Sequence, residues 1–235
     1  MESFDFDGTE VQLQLDNEVF QPTSLTHLLI EQMGDVNGKD VLDIGCGTGP
    51  VAITTALRGA KHVSAVDIME KAPELVKKNA ALNGVANKVK AYSGNLFEPL
   101  PEVTFDVIID DVSGMAEKVA RLTSWYPESI PTGGEDGADP TVGMLHSAKK
   151  YLKPNGRLLF PVISLANEKR MLSVAKEEFG DRVKEVKSKL FPFSEELKEH
   201  LDTLNELKEE GIIDFIQHRS RYLWRLKIYE VDLSK

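Results

Sequence analysis

Three groups of residues have types and spacings that could do chemistry. The first is Val41-Leu42-Asp43-Ile44-Gly45-Cys46-Gly47-Thr48-Gly49, an apolar run holding an acid and followed by alternating glycines. Glycines let the backbone turn sharply and let a ligand lie against it without a Cβ in the way. Free N–H groups at the start of a following helix favour an anionic group such as a carboxylate or phosphate. Asp43, near the end of the apolar run, suits a cationic amino group better than a pyrophosphate. The second is Asp67, which ends the next apolar run 24 residues after Asp43. A carboxylate there can accept both hydroxyls of a ribose; the plainer alternative is a helix N-cap before Ile68-Met69-Glu70. The third is Asp110, Asp111 and Ser113, at the end of another apolar run, where α/β sheets place their ligands. Adjacent residues on a strand point to opposite faces, so only one of the two acids would face a substrate. The plainer alternative makes both solvated loop carboxylates or helix caps.

The elements that must position these residues follow from apolar runs of strand length alternating with amphipathic stretches of helix length. That alternation is the signature of an α/β domain with a parallel sheet. Strands are expected at residues 41–44, 63–67, 89–92, 105–110 and 157–163. The fourth is almost continuously apolar, as for a strand covered on both faces. Leu25, Leu28, Leu29 and Met33 form one helical stripe, and a helix near residues 71–82 carries Pro73 near its start and stops at Asn83-Gly84. The last third departs from alternation. Residues 183–190 suit a strand, Leu197, Leu201, Leu204 and Leu207 mark an amphipathic helix, and residues 222–229 alternate like a strand with one wetter face. The whole chain, 1–235, is expected to be one domain, with an N-terminal segment and first helix at 1–35 and a helical insertion at 191–221. The irregular stretch 124–140, rich in glycine, proline and acids, is of the length usually kept for function or mobility.

Asp43-Ile44-Gly45-Cys46-Gly47-Thr48-Gly49 followed by Asp67 resembles the class I methyltransferases that use S-adenosylmethionine (SAM). The resemblance covers roughly residues 19–165. It implies a Rossmann-like α/β fold: a seven-stranded, mostly parallel sheet with an antiparallel last strand and helices on both faces. It also implies that Asp43, Gly45, Cys46 and Gly47 surround the methionine moiety and that Asp67 and Ile68 hold the ribose side. Asn95 and Leu96, in Ser93-Gly94-Asn95-Leu96-Phe97, fall where the family contacts adenine, and S-adenosylhomocysteine would be the product.

A narrower resemblance is to the branch that methylates glutamine in translation release factors, carried by Val19-Phe20-Gln21-Pro22-Thr23-Ser24-Leu25-Thr26, Gly94-Asn95-Leu96-Phe97-Glu98-Pro99-Leu100 and Gly133-Gly134-Glu135-Asp136-Gly137. By analogy Gln21, Thr26 and Asp110 lie near SAM. That branch has Asn-Pro-Pro-Tyr after the fourth strand, a clamp for a planar amide or amino nitrogen. This chain has Asp111-Val112-Ser113-Gly114 instead. Asp111 aligns with the clamp's first residue and is therefore the favoured catalytic acid, with Asp110 and Ser113 beside it.

Elsewhere, Trp125, Tyr126 and His146, in or just after the irregular stretch, are candidates for covering a substrate. The five histidines are scattered without metal-ligand spacing, so no metal site is expected. Lys and Arg total 28 against 38 Asp and Glu, a net charge of −10, which disfavours nucleic acid as a partner. One cysteine, an acidic N-terminus and no apolar run of about 18 residues point to a cytoplasmic protein away from membranes. The reading is a SAM-dependent methyltransferase acting on O or N of a small polar metabolite or natural-product intermediate. The first alternative is a protein methyltransferase related to release-factor or ribosomal-protein methylation. Phe105 to Asp111 also resembles aminopropyltransferases, which use decarboxylated SAM, and a SAM-binding module without catalysis is the alternative from another class.

Overall fold

The computed structural model describes every residue except Ser113 and Pro127. Five central strands run in parallel: β3 (Asp40–Ile44), β4 (His62–Asp67), β5 (Val89–Ser93), β6 (Phe105–Asp110) and β7 (Leu152–Ile163). With β8 (Val183–Pro192), β9 (Ile216–His218) and β10 (Arg221–Asp232) they form an eight-stranded sheet ordered β5-β4-β3-β6-β7-β10-β8, with β9 also paired to β10. The last strand, β10, is antiparallel to both β7 and β8. The expected seven-strand Rossmann-like architecture is present, and β9 adds a strand the sequence did not announce. It is only three residues long and fully exposed, so it carries no hydrophobic period to read.

The strands are parallel because they are apolar on both faces. Val41, Leu42 and Ile44 of β3, and Val107, Ile108 and Ile109 of β6, are at most 1% exposed. The helices α1 (Ser24–Gln32), α2 (Pro50–Leu57) and α3 (Ala72–Leu82) pack on the sheet, and α5 (Asp139–Tyr151) and α6 (Glu168–Phe179) pack on it as a pair in contact with each other. The short α4 (Glu117–Ala120) lies between β6 and α5. The insertion between β8 and β10 holds α7 (Glu195–Lys198) and α8 (Leu201–Glu209), which bury Leu197, Leu204 and Leu207 of the leucine stripe. The chain runs outward from β3 to β5 and then returns to β6. A crevice therefore opens at the carboxyl ends of β3 and β6, where Ile44 pairs in register with Asp110. Among the described residues no helix is long and apolar enough to cross a membrane.

The N-terminal segment is more structured than expected. β1 (Glu2–Phe6) and β2 (Thr9–Leu13) form a hairpin, closed by Asp7 and Gly8 at φ 50° and 78°. Phe6, Val11 and Leu13 are fully buried beneath it. Asp-Gly flanked by alternating apolar residues is a strong local hairpin signal, so this element was legible. The free edge of β2 is satisfied by two asparagines of α3. Asn83 exchanges bonds with the Gln12 backbone at 2.9 and 2.7 Å, and Asn79 with that of Gln14 at 2.8 and 3.0 Å. The Asn79 amide also donates to the Thr48 carbonyl at 2.9 Å, so one buried side chain ties the hairpin to the glycine loop.

Within 124–140, helix α5 already begins at Asp139. Asp136 accepts from the Ala138 backbone, from Asn167 Nδ2 and from Arg170, and Arg170 also reaches Asp139 at 2.7 Å. These acids cap and tie the loop to the start of α6.

Asn79→Ala would strand a buried N–H and two carbonyls. It should lower unfolding free energy by about 2 kcal/mol, with a smaller loss for Asn83→Ala, measured by urea denaturation. Equal losses would remove the special role of Asn79.

Candidate functional site

The glycine loop is built by the backbone. Gly45 and Cys46 both donate to the Val66 carbonyl, at 2.8 and 3.1 Å, which pins the loop to the end of β4. Gly45 has φ 77°, and a Cβ there would lie 2.7 Å from the Asp111 carbonyl oxygen. At Gly47, φ 49°, a Cβ would meet the Phe20 carbonyl at the same distance. Both positions therefore exclude a side chain for steric as well as conformational reasons.

Four carboxylates converge around this loop. Asp43, fully buried, accepts from the Ala52 N–H of α2 at 3.0 Å through Oδ2, while Oδ1 has no partner among the described residues. Burial pushes its carboxyl well above the usual range, and Asp111 adds to the push. Asp67 accepts from Gly47 N–H at 2.8 Å and from Met69 N–H at 2.9 Å. The expected helix cap is absent, because α3 starts only at Ala72; Asp67 instead ties the turn at Met69 to the glycine loop, and burial raises its carboxyl despite those donors. Asp110 is fully buried, its oxygens have no close partner among the described residues, and it is raised well above normal by burial and then by Asp111. Asp111 accepts from Thr26 Oγ1 at 2.9 Å. Burial lifts it to about 7, with the Thr26 bond opposing and Asp67 adding.

A cavity of about 790 Å³ opens beside the loop. Gln21, Thr26, Gly45, Cys46, Gly47 and Asp111 line one side of it. Trp125 and Tyr126 line it from the stretch between α4 and α5. Tyr126 meets Phe20 edge-on, with centroids 5.1 Å apart, and Ser124 N–H reaches Glu196 of α7 at 3.1 Å. The sequence reading missed the far wall. Phe191 of β8 and Trp224 of β10 are paired in register and stack with centroids 4.7 Å apart, and Trp125 approaches Trp224 at 6.3 Å. A lone tryptophan in an alternating strand was the available signal.

Several expected residues stand elsewhere. Asp110 faces away from the cavity lining, as its alternation with Asp111 requires. Ile68, 54% exposed, follows Asp67, and Asn95 and Leu96 follow β5; all three lie outside the cavity, beside the adjacent ends of β4 and β5. Leu96 holds φ 50°, and Asn95 Nδ2 approaches Glu98 at 3.4 Å. His146 is a correction: it sits exposed on α5 with Nδ1 2.8 Å from Glu178 of α6, too far around the helix pair to line the cleft. Ser113 lies outside the described residues.

The residues fit SAM as a group. A loop that admits no side chain offers main chain to the methionine end, and Asp43 Oδ1, without a partner among the described residues, is a buried acceptor that a cationic amino group would satisfy. Asp67 keeps lone pairs beyond its two backbone donors.

Comparison with known proteins agrees. The model of the family described as ribosomal protein L11 methyltransferase (PrmA) matches residues 20–177. A Methanocaldococcus jannaschii protein, provisionally named a protein N5-glutamine methyltransferase, is 33% identical over 186 residues, covering 79% of this chain and 92% of its own. A release factor glutamine methyltransferase of Cereibacter sphaeroides is 30% identical over 157 residues, covering 64% of this chain; this chain spans only 56% of its length. Among solved structures, a T. thermophilus 16S rRNA N2 methyltransferase in complex with AdoMet and guanosine superposes with a TM-score of 0.64 at 17% identity. That likeness covers 98% of this chain and 49% of the other, and it supports the fold. The chain belongs to the ribosomal protein L11 methyltransferase (PrmA) family and is a class I methyltransferase that uses SAM.

Proposed function

We propose that this enzyme methylates an amine nitrogen on a protein. The observation that carries the reading is Asp111, a carboxylate in the cavity wall where the glutamine-methylating relatives place an amide clamp. A glutamine amide offers both a donor and an acceptor, and an ionised carboxylate can answer only the donor. An amine or ammonium offers donors alone, and its bond to a carboxylate is charge-assisted. The aromatic wall of Phe191, Trp224, Trp125 and Tyr126 suits the same cation through its ring faces. The family name and the relatives' names point to protein acceptors, which favours the protein reading over a small polar metabolite.

In this reading the glycine loop and Asp43 receive the methionine end, Asp67 and Ile68 the ribose, and Asn95 and Leu96 the adenine, with Gln21 and Thr26 closing over it. SAM, when bound, supplies a methyl carbon made electrophilic by positive sulfur. Asp111 orients the amine and accepts its proton, which frees the nitrogen lone pair to form the N–C bond. A carboxyl held at about 7 is suited to that task near neutral pH. The cavity walls exclude water and align the line of attack.

Two outcomes test these roles. Asp67→Ala should weaken SAM binding by about 1–3 kcal/mol in calorimetry, and unchanged affinity would remove the ribose role. With methyl-labelled SAM, ribosomal protein L11, a release factor and a set of small amines offered in parallel, label should enter a lysine or N-terminal amine of a protein. Asp111→Asn should cut that turnover about 100-fold with SAM affinity nearly intact. Label confined to small molecules, or to a glutamine amide, would contradict the proposal.

A further inference from the structure

We infer that Thr26 is a positioning residue for Asp111, fixing by hydrogen-bond polarity which carboxylate oxygen can take a proton. The inference rests on the reading of Asp111 as the acceptor-side carboxylate.

Thr26 occupies the third position of α1, is 3% exposed, and its hydroxyl is used twice. It accepts the Thr23 backbone N–H at 3.2 Å, half of the capping box that starts the helix. It also donates to Asp111 Oδ2 at 2.9 Å. A hydroxyl has one proton, so Thr26 has no second donor to offer a cofactor or substrate. Oδ2 is thereby held as an acceptor. With Oδ2 so occupied, a proton arriving on Asp111 goes to Oδ1. Above its midpoint Asp111 presents Oδ1 to the cavity as a bare acceptor, and below it as an O–H donor. Only the ionised form can draw a proton from an amine.

The charged groups that bear on Asp111 from its own strand and its neighbours are carboxylates: Asp110 on β6, Asp67 at the end of β4 and Asp43 on β3. The Thr26 bond acts against burial and against Asp67 in setting the Asp111 midpoint. Losing the bond must therefore raise that midpoint. The start of α1 and the protonation state of the site share one hydroxyl.

The test is a carbon NMR titration of protein labelled at the aspartate side-chain carboxyls, without SAM or acceptor, with Asp111 assigned by Asp111→Asn. The wild-type midpoint should fall near 7. Thr26→Val should raise it by about one unit, the loss of one charge-assisted bond. Thr26→Ser should restore it, and Thr23→Ala, which weakens the cap but leaves Thr26 in place, should not move it. An unmoved midpoint in Thr26→Val, with or without weaker SAM binding, would overturn the inference, as would an equal shift in Thr23→Ala. Because no acceptor is present, a failure to methylate protein leaves this result standing, and the converse also holds.

Discussion

The structure turns on four carboxylates buried at the carboxyl ends of three adjacent strands. Asp43, Asp67, Asp110 and Asp111 are all raised above the ordinary carboxylate range by burial, and repulsion from a neighbouring acid adds to it at Asp43, Asp110 and Asp111. The other end of the same sheet shows what a structural solution looks like. There Asp40 on β3 and Asp106 on β6 share Lys153, each at 2.7 Å, and both are lowered. At the carboxyl ends the partners are backbone N–H groups and one hydroxyl, with Asp43 Oδ1 and both Asp110 oxygens left unmatched among the described residues. Unpaired buried acids cost stability, and they persist where a ligand supplies the missing charge. SAM carries positive charge on both its amino group and its sulfur.

Around that constraint the local features fall into order. The glycine loop admits main chain and ligand where any Cβ would strike the Asp111 or Phe20 carbonyl. Asn79 braces the loop from α3, and the capping box of α1 aims Thr26 at Asp111. The register of β8 and β10 brings Phe191 and Trp224 together in the wall of the same cavity that Asp111 lines.

The parts legible in the sequence were those fixed by short-range physics. Asp43 to Gly49 and Asp67 were readable because close backbone approach demands glycine and because parallel strands are continuously apolar. The hairpin around Asp7-Gly8 was equally local, and was missed because residues 1–35 were taken as a lead-in to the first helix. Phe191 and Trp224 meet only through the antiparallel register of β8 and β10, which no local pattern encodes. His146 misled for the converse reason. Proximity in sequence to the 124–140 stretch does not decide which side of α5 faces the cleft, and its pairing with Glu178 sets it on the outside.

The most direct measurement is calorimetric titration with SAM and with S-adenosylhomocysteine across the pH range spanning the Asp111 midpoint of about 7. The two ligands differ in the methyl group and the positive charge on sulfur. Carboxylates with raised values are protonated at the acidic end and ionise as pH rises, so a cationic ligand gains where a neutral thioether does not. The affinity of SAM relative to its product should therefore climb through this range, with proton release on SAM binding. A ratio that stays flat, with no proton released, would mean that the buried acids do not face the cofactor's charge.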